Sequence, residues 1–393
     1  MRVLFSSLPA TGHFNSIQPT AHAVAAAGHQ VAICCAPAFG EMVRASGFEH
    51  LPGGAETFGE LFVGAPPRSD MGRANWALRV AFATNGAQQM LPDLTRHVAE
   101  WRPDLLVRES SEFGALLVGE QLGLPHASIG TGAHSLRNDR RAVVADVLTS
   151  WREKLNLPPD PEAHAVARYL SLSFMPRRWD GEEPGIYAET VHFIRYENPT
   201  RPGETRPEWL DQPRDRPLVL ASLGTVMNAE PGLFEAIIEA LADEPMEVVV
   251  AIGHDQDAAR FGRPPANIRI ERFVPQIQVL EQCDLFVTHC GFNSTKEALS
   301  LGIPLVAIPI GGDQPYGASR IEALGLRRRV GPDERDPATI RAAVREVAGD
   351  PRYRANALAF ADEMRALPPI SHAVRLLEQL ATDPQPLRME GGG

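Results

Sequence analysis

The feature that most constrains this chain is an alternation of short apolar, β-branched runs with helix-patterned segments, and the alternation begins twice. The first series opens with a strand at 3–8 and a helical pattern around 17–27, then strands at 30–36, 104–107 and 126–129. The second opens with a strand at 217–223 and a helix at 231–241, then strands at 247–252, 268–273, 284–288 and 304–310. Strands apolar on both faces, each followed by a helix, predict parallel sheets covered on both sides. A pattern that starts twice predicts two doubly wound α/β domains. A chain of 393 residues accommodates two domains of ordinary size.

The expected division runs 1–200 for the first domain and 217–370 for the second, joined by a linker at 201–216. The linker lies in a stretch, 198–216, rich in charge and proline (Pro199, Pro202, Pro207, Pro213), which resists both helix and strand. Helical periodicity continues to about 381, and residues 371–384 are expected to form a terminal helix followed by a frayed tail at 385–393. Residues 57–94 are long and mixed, with Phe58, Phe62, Met71, Trp76, Phe82 and Met90. They read as core or as the lining of an apolar ligand pocket.

Several function classes are disfavoured. The formal net charge of −11 argues against nucleic acid or an anionic membrane as the main partner. No run of 18 or more apolar residues occurs, so no membrane span is expected. The short apolar run before Pro9 and Gly12 reads as a strand and loop rather than a signal peptide, which implies a cytoplasmic location. Cys34, Cys35, Cys283 and Cys290 show no metal-ligand spacing and read as small buried hydrophobes. His22, His29, His126 and His134 likewise read as structural. Neither half carries a GxGxxG or GxxxxGK[ST] loop, so neither a dinucleotide cofactor nor a P-loop is expected.

The strongest chemical signal is the segment 273–314. Its strand at 284–288 ends in His289-Cys290-Gly291-Phe292-Asn293-Ser294 and a helix then begins. That turn sits at the carboxyl end of a parallel strand, where open α/β sheets bind ligands. Gly291 permits close backbone approach, Asn293 and Ser294 are natural helix-capping residues, and the unpaired N–H groups of a helix start attract anions. His289 and Ser294 can add hydrogen bonds to phosphate oxygens, and Glu297, one turn on, can accept two ribose hydroxyls. Asp313 beside Gln314, after the next strand, is suited to holding sugar hydroxyls.

In that order these residues resemble the donor-binding signature of the UDP-glycosyltransferase-like superfamily, the inverting GT-B enzymes that include antibiotic and macrolide glycosyltransferases. The resemblance extends over the whole chain, because Ser222-Leu223-Gly224-Thr225 is similar to the family's phosphate-facing loop after the first strand of the second domain. It implies two Rossmann-like domains facing across a cleft, with the terminal helix packing back on the first. It implies that Phe273 and Val274 flank the nucleobase and that Gln276 lies near the nucleoside. By the same resemblance His289, Asn293 and Ser294 meet the diphosphate, Glu297 the ribose, and Asp313 with Gln314 the transferred sugar. Gly12, Ser222, Thr225 and Gly291 complete the expected donor site.

Pro9-Ala10-Thr11-Gly12-His13 follows the first strand, and in the family this position carries the catalytic base, so His13 is similar to it by context. Imidazole titrates near neutral pH and suits removal of a proton from an acceptor hydroxyl as its oxygen attacks an anomeric carbon. A carboxylate behind it would fix the tautomer. The family places an aspartate after a strand resembling Pro103-Asp104-Leu105-Leu106-Val107, where this chain has Glu109, with Glu112 as a rival. Asn15-Ser16 stands where related sequences often carry proline. Asp255-Gln256-Asp257 has the form of a metal-binding DxD but reads as a surface loop, and no metal or other cofactor is expected beyond the nucleotide sugar as co-substrate.

The expected activity is inverting, metal-independent transfer of a sugar from a dTDP- or UDP-sugar to a hydroxyl of a small, hydrophobic natural product. A nucleotide-sugar epimerase and a non-catalytic nucleotide-sugar-binding protein on the same fold are the alternatives. The acceptor, the sugar, the nucleobase and the oligomeric state, up to a homodimer, are left open.

Overall fold

The computed structural model of the chain describes residues 1–67, 70–199, 201, 204–225, 228, 230–254 and 256–389, the side chains of Asp70 and Arg327 excepted. The chain divides into two compact units, Met1–Pro202 with Leu367–Gly393, and Gly203–Ala366. Each is a parallel-sheet α/β domain.

The first unit holds β1 (Arg2–Ser6), β2 (Gln30–Cys35), β3 (Glu49–Pro52), β4 (Leu105–Glu109), β5 (His126–Ile129), β6 (Leu170–Ser173) and β7 (Val191–Phe193). They pair in the order β3-β2-β1-β4-β5-β6-β7, with every pairing parallel. The second holds β8 (Leu218–Ser222), β9 (Glu247–Ala251), β10 (Ile268–Glu271), β11 (Leu285–Thr288), β12 (Leu305–Ala307) and β13 (Arg327–Arg329). Their order, β10-β9-β8-β11-β12-β13, repeats the same winding and is again parallel throughout. The strand order reverses direction between β1 and β4 in one sheet and between β8 and β11 in the other. Open α/β sheets bind ligands at the carboxyl ends of such strands, because the adjoining loops diverge there and leave a crevice.

Burial explains the apolar strands. Val3, Leu4, Phe5 and Leu105–Val107 are fully buried, as are Leu220, Ala221, Phe286 and Val287. Helices Ala87–Trp101, Gly114–Leu122 and Asn138–Lys154 contribute to one core of the first unit. Helix Ile370–Thr382 packs against helix Thr11–Ala26 and strands β4 and β6 of the same unit. Glu378 on that terminal helix meets His29 at 2.8 Å.

The structure departs from the sequence reading in several places. Strands β3, β6, β7 and β13 were not legible: β7, Val191–Phe193, is too short for its alternation to stand out, and β13 consists of three arginines and displays no apolar pattern. Residues 57–94 are less loop-rich than their mixed composition implies. Helix runs from Asp70 through Trp101, with wider π-type winding over Ala77–Gly86. Between the sheets, 201 and 204–216 contain one short helical turn, Glu208–Asp211. The tail is tied down where described: Leu387 N–H donates to Tyr169 O at 2.8 Å, and Met389 N–H to Glu189 O at 2.9 Å. No helix among the described residues is long and apolar enough to cross a membrane.

Candidate functional site

In the first unit, helix Thr11–Ala26 begins a few residues after β1, with Ala10 at its cap position offering no side-chain hydrogen bond. Gly12 and His13 therefore lie in its first turn, above the carboxyl end of β1. Parallel pairing of β1 with β4 sets Ser6 beside Arg108, which brings Glu109, the last residue of β4, to the same edge. His13 Nδ1 lies 2.9 Å from Glu109 Oε1. Glu109 is wholly buried, and its other oxygen accepts the Ser111 N–H at 2.6 Å. A carboxylate can only accept, so Nδ1 is the donor in this bond, and in the neutral ring that arrangement leaves the lone pair on Nε2.

The rival carboxylate is committed elsewhere. Glu112 accepts from Ser6 Oγ at 2.6 Å, from Ala115 N–H at 3.0 Å, and from the Gly114 N–H. It caps helix Gly114–Leu122, and burial pushes its pKa up against these hydrogen bonds. Of the two glutamates, the structure brings Glu109 to His13.

Aromatic rings stand beside the imidazole. The ring centroids of Phe58 and Phe82 lie 5.4 and 5.8 Å from that of His13. Phe62 packs 5.0 Å from Phe58, and Trp76 5.9 Å from Phe62. Phe82 belongs to the π-wound segment, a winding that widens a helix locally and recurs at functional sites. Of the other two apolar candidates, Met90 is core and Met71 is exposed. Ser16, where related sequences often carry proline, donates to His13 O at 2.6 Å and sits 2.7 Å from Thr131 Oγ1, bracing the helix start.

In the second unit, β11 ends at Thr288, and helix Phe292–Ser300 begins after His289, Cys290 and Gly291. The His289 ring is packed against backbone. A Cβ on Gly224 would lie 2.6 Å from its Nε2, and one on Gly291 2.4 Å. Gly224 also has φ of +79°, a conformation that favours glycine. Ser222 Oγ accepts the Gly224 N–H at 3.3 Å, closing the loop after β8, and Thr225 next to it is exposed. Burial lowers the His289 pKa to about 4, opposed only by a hydrogen bond with the Ser222 backbone. His289 is therefore neutral at pH 7 and acts as a hydrogen-bonding group rather than a cation.

That shift has a consequence for stability. An unfolded histidine takes up its proton near pH 6.5, whereas folded His289 resists it down to about pH 4. The unfolded chain binds more protons across this window, so stability should fall as pH drops from 6.5 to 4, by about 3 kcal/mol from this residue. Urea midpoints measured across that range should flatten in a His289→Gln variant. An unchanged slope would remove His289 as their source.

Gln276 opens helix Gln276–Leu280, and its Nε2 donates to Glu297 Oε2 at 2.7 Å and Ser294 Oγ at 3.2 Å. These three side chains form one cluster at the start of helix Phe292–Ser300, with Glu297 almost fully buried. Asn293 Oδ1 accepts from Lys296 Nζ at 3.0 Å. Lys296, itself buried, escaped the sequence reading because a lysine in a helix pattern ordinarily marks a solvated face. Phe273 is half-exposed and stacks at 5.4 Å and 13° on His254, a second residue the sequence did not single out, while Val274 is buried. Asp313 sits at the cap position of helix Gln314–Ala323. Gln314 Oε1 accepts the Ile310 and Gly311 N–H groups at 2.8 and 3.0 Å, turning its amide nitrogen the other way.

Asp255 of the DxD-like triplet lies outside the described residues. Gln256 is buried and accepts from Arg260 Nη1 at 2.7 Å, and Asp257 caps a short helix through the Ala259 N–H at 3.0 Å. No group of three or more potential metal-ligating side chains occurs among the described residues.

Residues 235–380 match the family model "Erythromycin biosynthesis protein CIII-like, C-terminal domain". The chain is 31% identical to the NDP-glycosyltransferase YjiC of Bacillus licheniformis over 275 residues, covering 67% of this chain and 69% of that protein. It is 30% identical to the demethyllactenocin mycarosyltransferase of Streptomyces fradiae, covering 90% and 80% of the two chains. Its fold is similar to the crystal structure of the Streptomyces sp. SF2575 glycosyltransferase SsfS6 complexed with thymidine diphosphate. The TM-score there is 0.80 at 24% identity, with 96% of this chain and 99% of that chain covered. Two parallel sheets of the GT-B type, together with these relatives, lead to one conclusion: the chain belongs to the family of nucleotide-sugar glycosyltransferases of antibiotic biosynthesis.

Proposed function

We propose that this chain is an inverting, metal-independent glycosyltransferase in which His13 is the general base, acting on a hydroxyl of a small hydrophobic acceptor in the cytoplasm. The observation that carries this reading is the His13–Glu109 hydrogen bond at 2.9 Å beside a cluster of aromatic rings. With Nδ1 engaged by a buried carboxylate, His13 Nε2 takes the acceptor proton. The acceptor oxygen then forms a bond to the anomeric carbon as the bond to the nucleoside diphosphate breaks on the opposite face, inverting the configuration. Glu109 holds the tautomer and stabilises the imidazolium that forms. Phe58, Phe62, Trp76 and Phe82 supply the apolar surface for the acceptor.

The donor is a dTDP- or UDP-sugar held by the second unit. The start of helix Phe292–Ser300, with Asn293, Ser294 and neutral His289, receives the diphosphate; Ser222 and Thr225 face it from the loop after β8. Aligned N–H groups at a helix start neutralise a leaving diphosphate in the way a cation would. Glu297, oriented by Gln276, accepts the ribose hydroxyls; Phe273 stacks on the base; Asp313 and Gln314 hold the sugar.

Calorimetric titration of the purified chain with UDP and with dTDP, each with and without EDTA, tests the donor site. Binding of one nucleotide should be unchanged by EDTA and weakened about tenfold or more in Glu297→Ala, the loss of a charge-assisted hydrogen bond. Binding that requires a divalent cation would overturn the metal-independent reading.

A further inference from the structure

Behind β4, on the face of the first sheet opposite helix Thr11–Ala26, lies a small cavity of about 30 Å³ whose lining is dominated by arginines and serines. This is room enough for more than one water-sized group. Arg108 reaches into its wall from the strand position just before Glu109 and is only 1% exposed. Its guanidinium donates to four backbone carbonyls: Ser110 at 2.9 Å, Val166 at 3.1 Å, Glu112 at 3.2 Å and Glu109 at 3.4 Å. Among the described residues no carboxylate stands within ion-pair distance of it. The side chains of Glu109 and Glu112 act on it only through space, because their oxygens are taken by His13, Ser111, Ser6, Gly114 and Ala115. Burial accordingly lowers the Arg108 pKa, against the pull of those two carboxylates.

The hydrogen-bond inventory of the cavity is lopsided. Arg108 Nε is buried and bonds to nothing, the same holds for Arg141 Nε across the cavity, and against these donors the lining sets one buried unpaired side-chain acceptor, Asn138 Oδ1. Ser110 Oγ accepts the Thr131 N–H, so its own proton remains to be given. Ser128 and Ser171 hydroxyls face each other at 2.8 Å, a contact that uses one of their two protons. A buried cation with no carboxylate in ion-pair contact, together with N–H and O–H donors that outnumber the free acceptors around one void, points to an occupant that accepts hydrogen bonds and carries negative charge.

We propose that this cavity binds a small inorganic anion, a halide or compact oxyanion, held by Arg108, Arg141, Ser110 and the Ser128–Ser171 pair. The site is separate from those assigned above to acceptor and donor. Its occupant braces the carboxyl end of β4, and therefore the residue that orients His13.

The test uses the full chain in chloride-free gluconate buffer, with chloride, bromide or phosphate added at constant ionic strength. Thermal unfolding should shift upward saturably, by roughly 2 °C for a tenfold excess over the dissociation constant. The shift should vanish in Arg108→Gln. If that variant fails to fold, Arg141→Gln and Ser110→Ala serve the same purpose. Crystals soaked in bromide should show an anomalous peak within hydrogen-bonding distance of Arg108 Nε. A cavity containing only water after soaking would overturn the proposal, as would a stabilisation of equal size in the variants.

Discussion

Replacing His13 by alanine is expected to lower the rate of sugar transfer by about three orders of magnitude while changing nucleoside diphosphate affinity less than roughly twofold. The imidazole is the group beside which an acceptor hydroxyl would lose its proton, and no other described side chain bonds to the Glu109 carboxylate. Without it the attacking oxygen must shed its proton to water, which costs catalysis but leaves the donor pocket intact. Single-turnover transfer with a hydrophobic phenol, read beside calorimetric titration of UDP and dTDP, separates the two effects. Equal loss of transfer and of nucleotide binding would mean that His13 serves the fold and not the reaction. Analysis of the anomeric configuration of the product by NMR tests inversion independently.

Glu109→Gln should be nearly as damaging, with a loss of about a hundredfold or more in kcat, and for a reason visible in the hydrogen bonding. Glu109 receives two donors, the His13 ring and the Ser111 N–H, on two separate oxygens. Glutamine has one oxygen. If Ser111 keeps it, the amide N–H₂ faces Nδ1 and drives the proton to Nε2, so the base is blocked. Acceptor KM and nucleotide affinity should change little, and the pH–rate profile should lose the limb that reports His13. Glu112→Gln makes the contrasting case: it weakens the cap of helix Gly114–Leu122 and should lower stability by about 1–2 kcal/mol, with the pH–rate profile retained. Should Glu112→Gln abolish the profile while Glu109→Gln spares it, the positioning role belongs to the other glutamate.

Both predictions rest on information of different kinds. The alternation of apolar runs with helical segments was enough to read two doubly wound parallel sheets, because strand and helix periodicity are local properties that survive in a single chain. Helix Pro337–Gly349 was legible in the same way, through Ile340, Ala343, Val344 and Val347 recurring on one face. The turn 289–294 was legible because a glycine after an apolar strand marks a helix start, although the cap position falls on Gly291 without a side-chain bond, and Asn293 and Ser294 lie inside the first turn rather than capping it. Where side chains carried no such pattern the reading stopped. Strand β13 is Arg327–Arg329, which pairs with β12 only because the sheet offers it an edge. Lys296 is buried beside Phe292 and Asn293, where a solvated position would have been read.

The sequence by itself determined the fold class, the family and the two loops at which chemistry is concentrated, since each depends on residues close together in the chain. Only the tertiary structure decided which glutamate meets His13. Glu109 and Glu112 are the same residue type three positions apart, and their separate partners follow from the register of β4 beside β1, which carries one carboxylate to helix Thr11–Ala26 and leaves the other at a helix cap. The same holds for Gln276 on Glu297, for the aromatic cluster drawn from 58–82, and for the arginines around the cavity behind β4. Contacts between residues tens of positions apart are set by how strands pair and how side chains compete for buried hydrogen-bond partners, and no local pattern encodes that competition.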